Sequence, residues 1–165
     1  MTDYIVPKTF YLSPYEQHQF VSKIAEGKKV LFADFGDYLL VRTENKLDFD
    51  TQPTKTYAEN DVLFFELRAC VGTKVRGKNF YFPVQDWRSR HEWLEKRAKD
   101  LGFELISITC SAEHAKIEKG QQVFTVDKTD FSGALKVIDA EKFLLALQQG
   151  IGNKGKAFGF GMLII

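Results

Sequence analysis

Apolar and polar residues along this chain switch between a period of two and a period near 3.6, and the switches divide it into short elements. Tyr4 to Leu12 alternates weakly and is rich in β-branched and aromatic residues, which predicts a first strand. Ser13 and Pro14 follow as N-cap and first helical residue, and Glu16 stands where it completes a capping box. Phe20, Val21 and Ile24 recur at helical spacing, so a helix is expected from about Pro14 to Glu26, ended by Gly27. Val30 to Phe35 and Tyr38 to Thr43 are apolar runs joined around Gly36-Asp37, a hairpin signal. Asp48 to Asn60 is polar, contains Pro53, and reads as a loop between two halves.

The second half repeats the alternation. Val62 to Val75 reads as one long strand with a bulge at Gly72, turned back by Arg76 to Asn79 into Phe80 to Val84. Asp86 caps a second helix, Trp87 to Leu101, with Trp87, Trp93, Leu94 and Leu101 roughly on one side. Phe103 to Cys110 is strand-like, and Ser111 to Gly120 reads as a polar, charged loop. Val123 to Val126 and Phe131 to Ile138 are further strands about a turn at Lys128 to Asp130. Asp139 caps a third helix, Ala140 to Gln149, with Phe143, Leu144 and Leu147 inward. A glycine-rich loop and a short apolar strand close the chain.

This order predicts an α+β fold of two tandem ferredoxin-like (βαββαβ, RRM-like) domains, the first with a reduced or missing second helix. Residues 1–58 plus the strand near 62–70 are expected to form the N-terminal domain, and residues 71–165 the C-terminal one.

Composition narrows the function classes. Lys and Arg number 23 against 22 Asp and Glu, a net charge of +1, which argues against a protein that coats nucleic acid indiscriminately. Local basic patches remain: Arg68, Lys74, Arg76 and Lys78 on one strand–turn segment, Arg88 and Arg90 at a helix start, and Lys154 and Lys156 in the final loop. No apolar run reaches the ~20 residues of a membrane helix, and the N-terminus lacks signal-peptide features. Cys70 and Cys110 are far apart in strand-like patterns, so reduced thiols and a cytoplasmic location are expected. No His/Cys spacing suggests a metal site, and no cofactor is expected.

Two stretches carry candidate chemistry. From Gly150 to Gly161 there are five glycines and two lysines in twelve residues. Such a loop can bring backbone N–H groups and positive charge to phosphate, as a nucleic-acid clamp. It can equally be a helix C-cap followed by a bulged strand. The other stretch is the first helix, where Tyr15 and His18 are three apart and share a face. An imidazole can donate a proton to a departing alkoxide, and a phenol can hydrogen-bond a phosphate oxygen. Alternatively His18 is a surface residue and Tyr15 a core one. His91 reads as part of an exposed helical face and His114 as a solvated loop residue.

Several segments resemble, in order, the CasE family, the repeat-RNA endoribonucleases of type I-E CRISPR systems within the RAMP superfamily. Ser13-Pro14-Tyr15-Glu16-Gln17-His18 resembles its Pro-Tyr-x-x-His segment. Phe64-Phe65-Glu66-Leu67-Arg68-Ala69 resembles its Phe-x-Leu-Arg-Ala strand, and Trp93 to Ala98 with Gly102 to Leu105 its second-half helix and next strand. Phe131 to Val137 resembles a Phe-x-Gly-x-Leu-x-Val strand, and Gly150-Ile151-Gly152 with Gly159-Phe160-Gly161 the superfamily's terminal signature. This chain looks like a short member. It carries Gln19 where a basic residue is common, and its two Gly-x-Gly units are spaced more widely than usual.

The resemblance implies two tandem ferredoxin-like domains that bind a hairpin in CRISPR repeat RNA and cut precursor crRNA at the hairpin's 3′ base. The implied reaction is metal-independent attack by a 2′-OH, leaving 2′,3′-cyclic phosphate and 5′-OH ends. It places Tyr15 and His18 at the catalytic positions. RNA backbone contacts are expected from Lys23, Lys28, Lys29, Arg68, Lys74, Arg76 and Lys78. Gly150, Gly152, Lys154, Lys156, Gly159 and Gly161 are expected to add a backbone clamp. A multisubunit crRNA-guided complex is the implied assembly, with no membrane partner. A non-catalytic RNA-binding subunit of the same fold is the other reading.

Overall fold

A computed structural model describes residues 1–53 and 55–165. The first half is β1 (Thr2–Pro7), α1 (Pro14–Ile24), β2 (Val30–Asp34), β3 (Tyr38–Thr43) and the short β4 (Asp50–Thr51). These strands form one antiparallel sheet in the order β2-β3-β1-β4. The second half is β5 (Val62–Ala69), β6 (Thr73–Val75), β7 (Lys78–Phe80), α2 (Trp87–Ala98), β8 (Phe103–Lys119), β9 (Gln122–Val137), α3 (Ala140–Gln149) and β10 (Leu163–Ile164). Its main sheet runs β10-β5-β9-β8, and β6 and β7 pair separately as a hairpin.

Counted from the start of each half, both sheets have the strand order 4-1-3-2. That is the tandem ferredoxin-like architecture, and no helix occupies the span between β3 and β4. The domain boundary differs from the expectation in one place. The strand near 62–70 belongs to the second sheet, where β5 pairs with β9 from Val62 to Ala69 and with β10 at Glu66 and Leu67. Its alternation explains this: Phe65, Leu67 and Ala69 face the second core, with Leu94, Phe103, Phe131, Leu135 and Phe143.

Other boundaries move for identifiable reasons. The first strand stops at Pro7, and Phe10 and Tyr11 stand exposed in the loop beyond it. The expected Val62–Val75 strand breaks at Cys70 to Gly72, because Val71 N–H turns away to donate to the Asp127 carboxylate. The pairing of the returning strand ends at Phe80, short of Val84. Trp87 and Leu144 point outward, contrary to the helical-face reading. The largest difference is in the expected loop Ser111 to Gly120, where Ser111 to Lys119 is strand and only Gly120 lies in a turn. β8 and β9 pair from Phe103↔Val137 to Lys119↔Gln122 with one bulge at Ile106, so Lys128 to Asp130 is also paired strand.

The halves meet in a joint apolar layer. Leu31 and Leu40 of the first sheet pack with Met162, beside Ile5 and Ile164. Arg42 crosses the joint: its Nη1 donates to the carbonyls of Leu147 and Leu163, while Nε and Nη2 hold the Asp3 carboxylate. The arrangement sets α1 against the glycine loop of the other half.

Candidate active site

Helix α1 is held by its polar residues as much as by its apolar ones. Ser13 Oγ accepts from Glu16 N–H, and the Glu16 carboxylate accepts from Ser13 N–H and Oγ–H, closing the capping box. These bonds hold the Glu16 carboxyl below its ordinary range. Gln17 is buried and donates from Nε2 to Leu12 O at 3.0 Å and to Asp34 Oδ2 at 2.6 Å. Burial alone would raise the Asp34 carboxyl; bonds from Lys8, Gly36 and Gln17 outweigh it and bring the value below ordinary. At the far end Asn45 Nδ2 donates to Ala25 O. Gln17, Val21 and Ala25, four apart, are thereby locked inward.

With that face fixed, Tyr15, His18, Gln19, Ser22 and Lys23 form the opposite stripe and line one open cleft of about 460 Å³. Its other wall comes from the second half: Ala157 and Phe158 in the glycine loop, and Lys119 at the tip of the β8–β9 hairpin. Lys119 Nζ lies 5.8 Å from the centroid of the Tyr15 ring, within cation–π range. The cleft therefore gathers an imidazole, a phenol and two ammonium groups from segments about 100 residues apart in sequence.

Sequence reasoning passed over Lys119 because its segment read as a loop. A signal was present. Ile117 and Phe124 pair across the two-residue connection Gly120-Gln121, which is a hairpin pattern. His114 is exposed, as expected, but on a strand and not in a loop. It lies on β8, 3.1 Å from Phe82 O and 3.7 Å from Asp127 Oδ2.

The expected basic residues separate into free and engaged groups. Lys23, Lys28 and Lys29 are exposed on or just beyond α1, and Lys74, Arg76 and Lys78 are exposed on the β6–β7 hairpin. Arg68 is engaged: Nε and Nη2 hold both Asp130 oxygens at 2.6 and 3.1 Å, and the paired carboxylate raises its pKa. Lys156 donates to Gln149 O at 2.7 Å, at the C-terminal end of α3, so it serves as a helix-end cation. Burial, with Lys29 nearby, lowers its pKa.

The glycine loop is closed on itself. Ile151 N–H donates to Gly161 O at 2.7 Å, and Gly161 N–H donates to Arg68 O at 2.6 Å. Gly150 and Gly161 adopt φ of 72° and 86°, and a Cβ on either would stand 2.7 Å from a carbonyl across the loop, that of Gly161 or Ile151. Gly152 and Gly159 let the loop lie on Trp93 and Phe32. These glycines shape the loop by packing, and Lys154, half-buried with its Nζ 5.8 Å from the Tyr81 ring, makes no hydrogen bond or ion pair among the described residues.

Beneath the β6–β7 hairpin sits a fully buried ion cluster. Arg90 Nη1 donates to Asp127 Oδ2 at 2.7 Å and to Thr129 Oγ1, and Nη2 donates to the carbonyls of Phe82 and Pro83. Asp127 Oδ1 accepts from Val71 N–H and Thr129 Oγ1. Both ends of the excursion carrying Lys74, Arg76 and Lys78 are thus pinned to α2 and β9. Arg90, read from sequence as a surface cation, is interior. His91 is half-buried and meets the Trp87 ring edge-on. Among the described residues no three His, Cys, Asp or Glu side chains are grouped to hold a metal ion, and no helix is long and apolar enough to cross a membrane.

The family model for CRISPR-associated proteins matches residues 13–165, which include both walls of the cleft. The chain belongs to the CRISPR-associated protein family. No curated protein sequence matches it. Solved structures share the fold over nearly all of this CRISPR-associated chain. A CRISPR endoribonuclease Cse3 bound to 19 nt RNA has a TM-score of 0.83 at 23% identity, covering 99% of each chain. Thermus thermophilus Cse3 bound to an RNA representing a pre-cleavage complex has a TM-score of 0.81 at 23% identity, over 99% of this chain and 97% of that one. Cas6e from Escherichia coli K-12 has a TM-score of 0.76 at 18% identity, over 99% and 96%.

Proposed function

We propose that this chain binds a hairpin in CRISPR repeat RNA and cleaves it without a metal ion, with Tyr15 and His18 as catalytic residues. The observation that carries the reading is the cleft in which Tyr15 and His18, on a helix locked from behind, face Lys119 and the glycine loop. The similarity in fold to endoribonucleases bound to RNA supports it.

In this reading the 2′-oxygen attacks the adjacent phosphorus. The new 2′-O–P bond forms as the P–O5′ bond breaks, leaving a 2′,3′-cyclic phosphate. The 2′-OH proton leaves to solvent or to a base, and His18, as imidazolium, protonates the departing 5′-oxygen. Tyr15 hydrogen-bonds a nonbridging oxygen. Lys23 offsets charge that builds on the phosphorane, and Lys119 positions the Tyr15 ring. Lys28, Lys29, Lys74, Arg76, Lys78 and Lys154 hold the RNA backbone without reading sequence. Gly150, Gly152, Gly159, Gly161 and Lys156 act on RNA through the loop they shape. The two free thiols, Cys70 and Cys110, suit a reducing cytoplasm. A crRNA-guided surveillance complex contains a chain of the same fold, with a TM-score of 0.78, which supports membership of such an assembly.

The test is incubation with a panel of repeat-hairpin RNAs in EDTA, followed by end-group analysis. Site-specific cutting with cyclic phosphate and 5′-OH ends is expected. Binding without cutting would make the chain a non-catalytic subunit, and 5′-phosphate ends would overturn the mechanism.

A further inference from the structure

The glycine loop has two sides, and the active-site cleft uses only one. On its other side lies a groove of about 990 Å³ between the loop, helix α2 and the β6–β7 hairpin. We propose that this groove binds the single-stranded RNA flanking the hairpin, with Lys96 and Arg97 of α2 as its recognition residues. This rests on the reading of the chain as a hairpin-RNA binder.

The groove's charge favours a polyanion. Lys74, Lys96, Arg97, Lys154 and Lys156 line it against two carboxylates, Glu92 and Asp100. Lys96 is 3.6 Å from Glu92 but highly exposed, so solvent screens that pair and a phosphate can displace it. Arg97 supplies a different feature. Its guanidinium lies 4.0 Å over the Trp93 ring, and Nη1 donates to Trp93 O at 2.8 Å. The group is thereby held over the indole and partly exposed. Its outer face is a planar cation of the kind on which unpaired bases stack.

That geometry favours a single strand over a duplex, whose bases are already stacked. Continuity points the same way. Gly150, Gly152, Asn153 and Lys154 edge the groove, and Ala157 and Phe158 edge the catalytic cleft. A strand leaving the scissile phosphate passes over one short loop to enter the groove.

The experiment compares three RNAs by filter binding and single-turnover cleavage: the minimal hairpin, and the hairpin with a ten-nucleotide extension on its 5′ or its 3′ side. A structureless ten-nucleotide uridine RNA is a fourth probe. For the wild type, one extension is expected to tighten binding roughly tenfold. Lys96→Ala with Arg97→Gln should erase that gain and weaken uridine RNA binding, with a salt slope about 1.4 shallower. Minimal-hairpin cleavage should stay within about twofold of wild type. Lys96→Ala alone removes an exposed side chain and should show about half the effect in slope. An extension that adds no affinity, or a variant that loses minimal and extended hairpins equally, overturns the groove. Failure to bind or cut any hairpin, with Lys96-dependent uridine RNA binding intact, overturns the hairpin reading and leaves the groove standing.

Discussion

His18 and His114 each lie near lysine and glutamate residues in the sequence, yet their surroundings are opposite. His18 stands in an open cleft with no hydrogen bond or ion pair among the described residues. His114 borders a closed cluster in which Arg90, Asp127 and Thr129 are wholly buried and bonded to one another. Function belongs where polar groups converge and remain unspent. Where they spend themselves on each other, they hold the fold. The same division separates Lys154 from Lys156, and Lys74 from Arg68.

The largest effect should come from the unspent side. His18→Ala is expected to lower single-turnover cleavage of hairpin RNA by ~10²–10⁴-fold while leaving its affinity near wild type. Undiminished cutting would remove His18 from the chemistry.

The spent side should answer in stability. Asp127→Ala leaves Arg90 buried without its counter-charge, and should cost about 3–5 kcal/mol in urea unfolding. Arg90→Met with Asp127→Leu removes both charges and should recover most of that loss. If the single variant costs under about 1 kcal/mol, the cluster is not what pins the hairpin.

Next in size is acid sensitivity at the helix starts. Ser89 holds the Asp86 carboxyl below its ordinary value, and the backbone N–H and side chain of Lys142 do the same for Asp139. A carboxylate whose folded pKa is depressed adds stability above its unfolded value and loses it as pH falls through the folded one. Wild type should therefore be more stable than Asp139→Asn at pH 7. The gap should close as pH falls below about 4. A gap that is constant with pH would show that the cap acts through shape alone.

Much of this was readable in the sequence. The capping box at Ser13 and Glu16, the cap at Asp139 and the alternation through Val62 to Ala69 each name an element by local chemistry, and the tandem fold follows from their order. The long β8–β9 hairpin was not readable as strand from its charge content. Glu113, His114, Lys116, Glu118 and Lys119 are polar because that end of the ribbon is largely exposed, with Ile117 turned toward Phe160. Lys119 reaches Tyr15 only once the ribbon's length is known. The strand at 62–69 was placed with the wrong half because pairing partners as distant as Phe131 leave no local mark.

Lys119 is the finer test of the cleft. Its contact with the Tyr15 ring is a cation–π approach worth about 0.5–1 kcal/mol, so Lys119→Ala should slow cleavage a few-fold. Lys119→Arg should keep most of the rate. A larger loss on Lys119→Ala, with affinity unchanged, would move Lys119 from positioning Tyr15 to bearing on the phosphate itself.

The smallest effect should be at Arg68, and it separates charge from availability most sharply. Arg68 and Lys154 both lie where RNA binding was expected from sequence. Arg68 is already held at two points by Asp130, in a pair about one-third to two-fifths exposed. Such a pair contributes up to about 1 kcal/mol to stability, and it offers phosphate no free cation. Lys154→Ala should reduce the salt slope of RNA binding by about 0.7. Arg68→Ala should leave the slope unchanged within error. If instead Arg68→Ala shallows the slope as much as Lys154→Ala does, Asp130 gives up its partner to RNA, and the line between spent and unspent charge runs through the cleft and not around it.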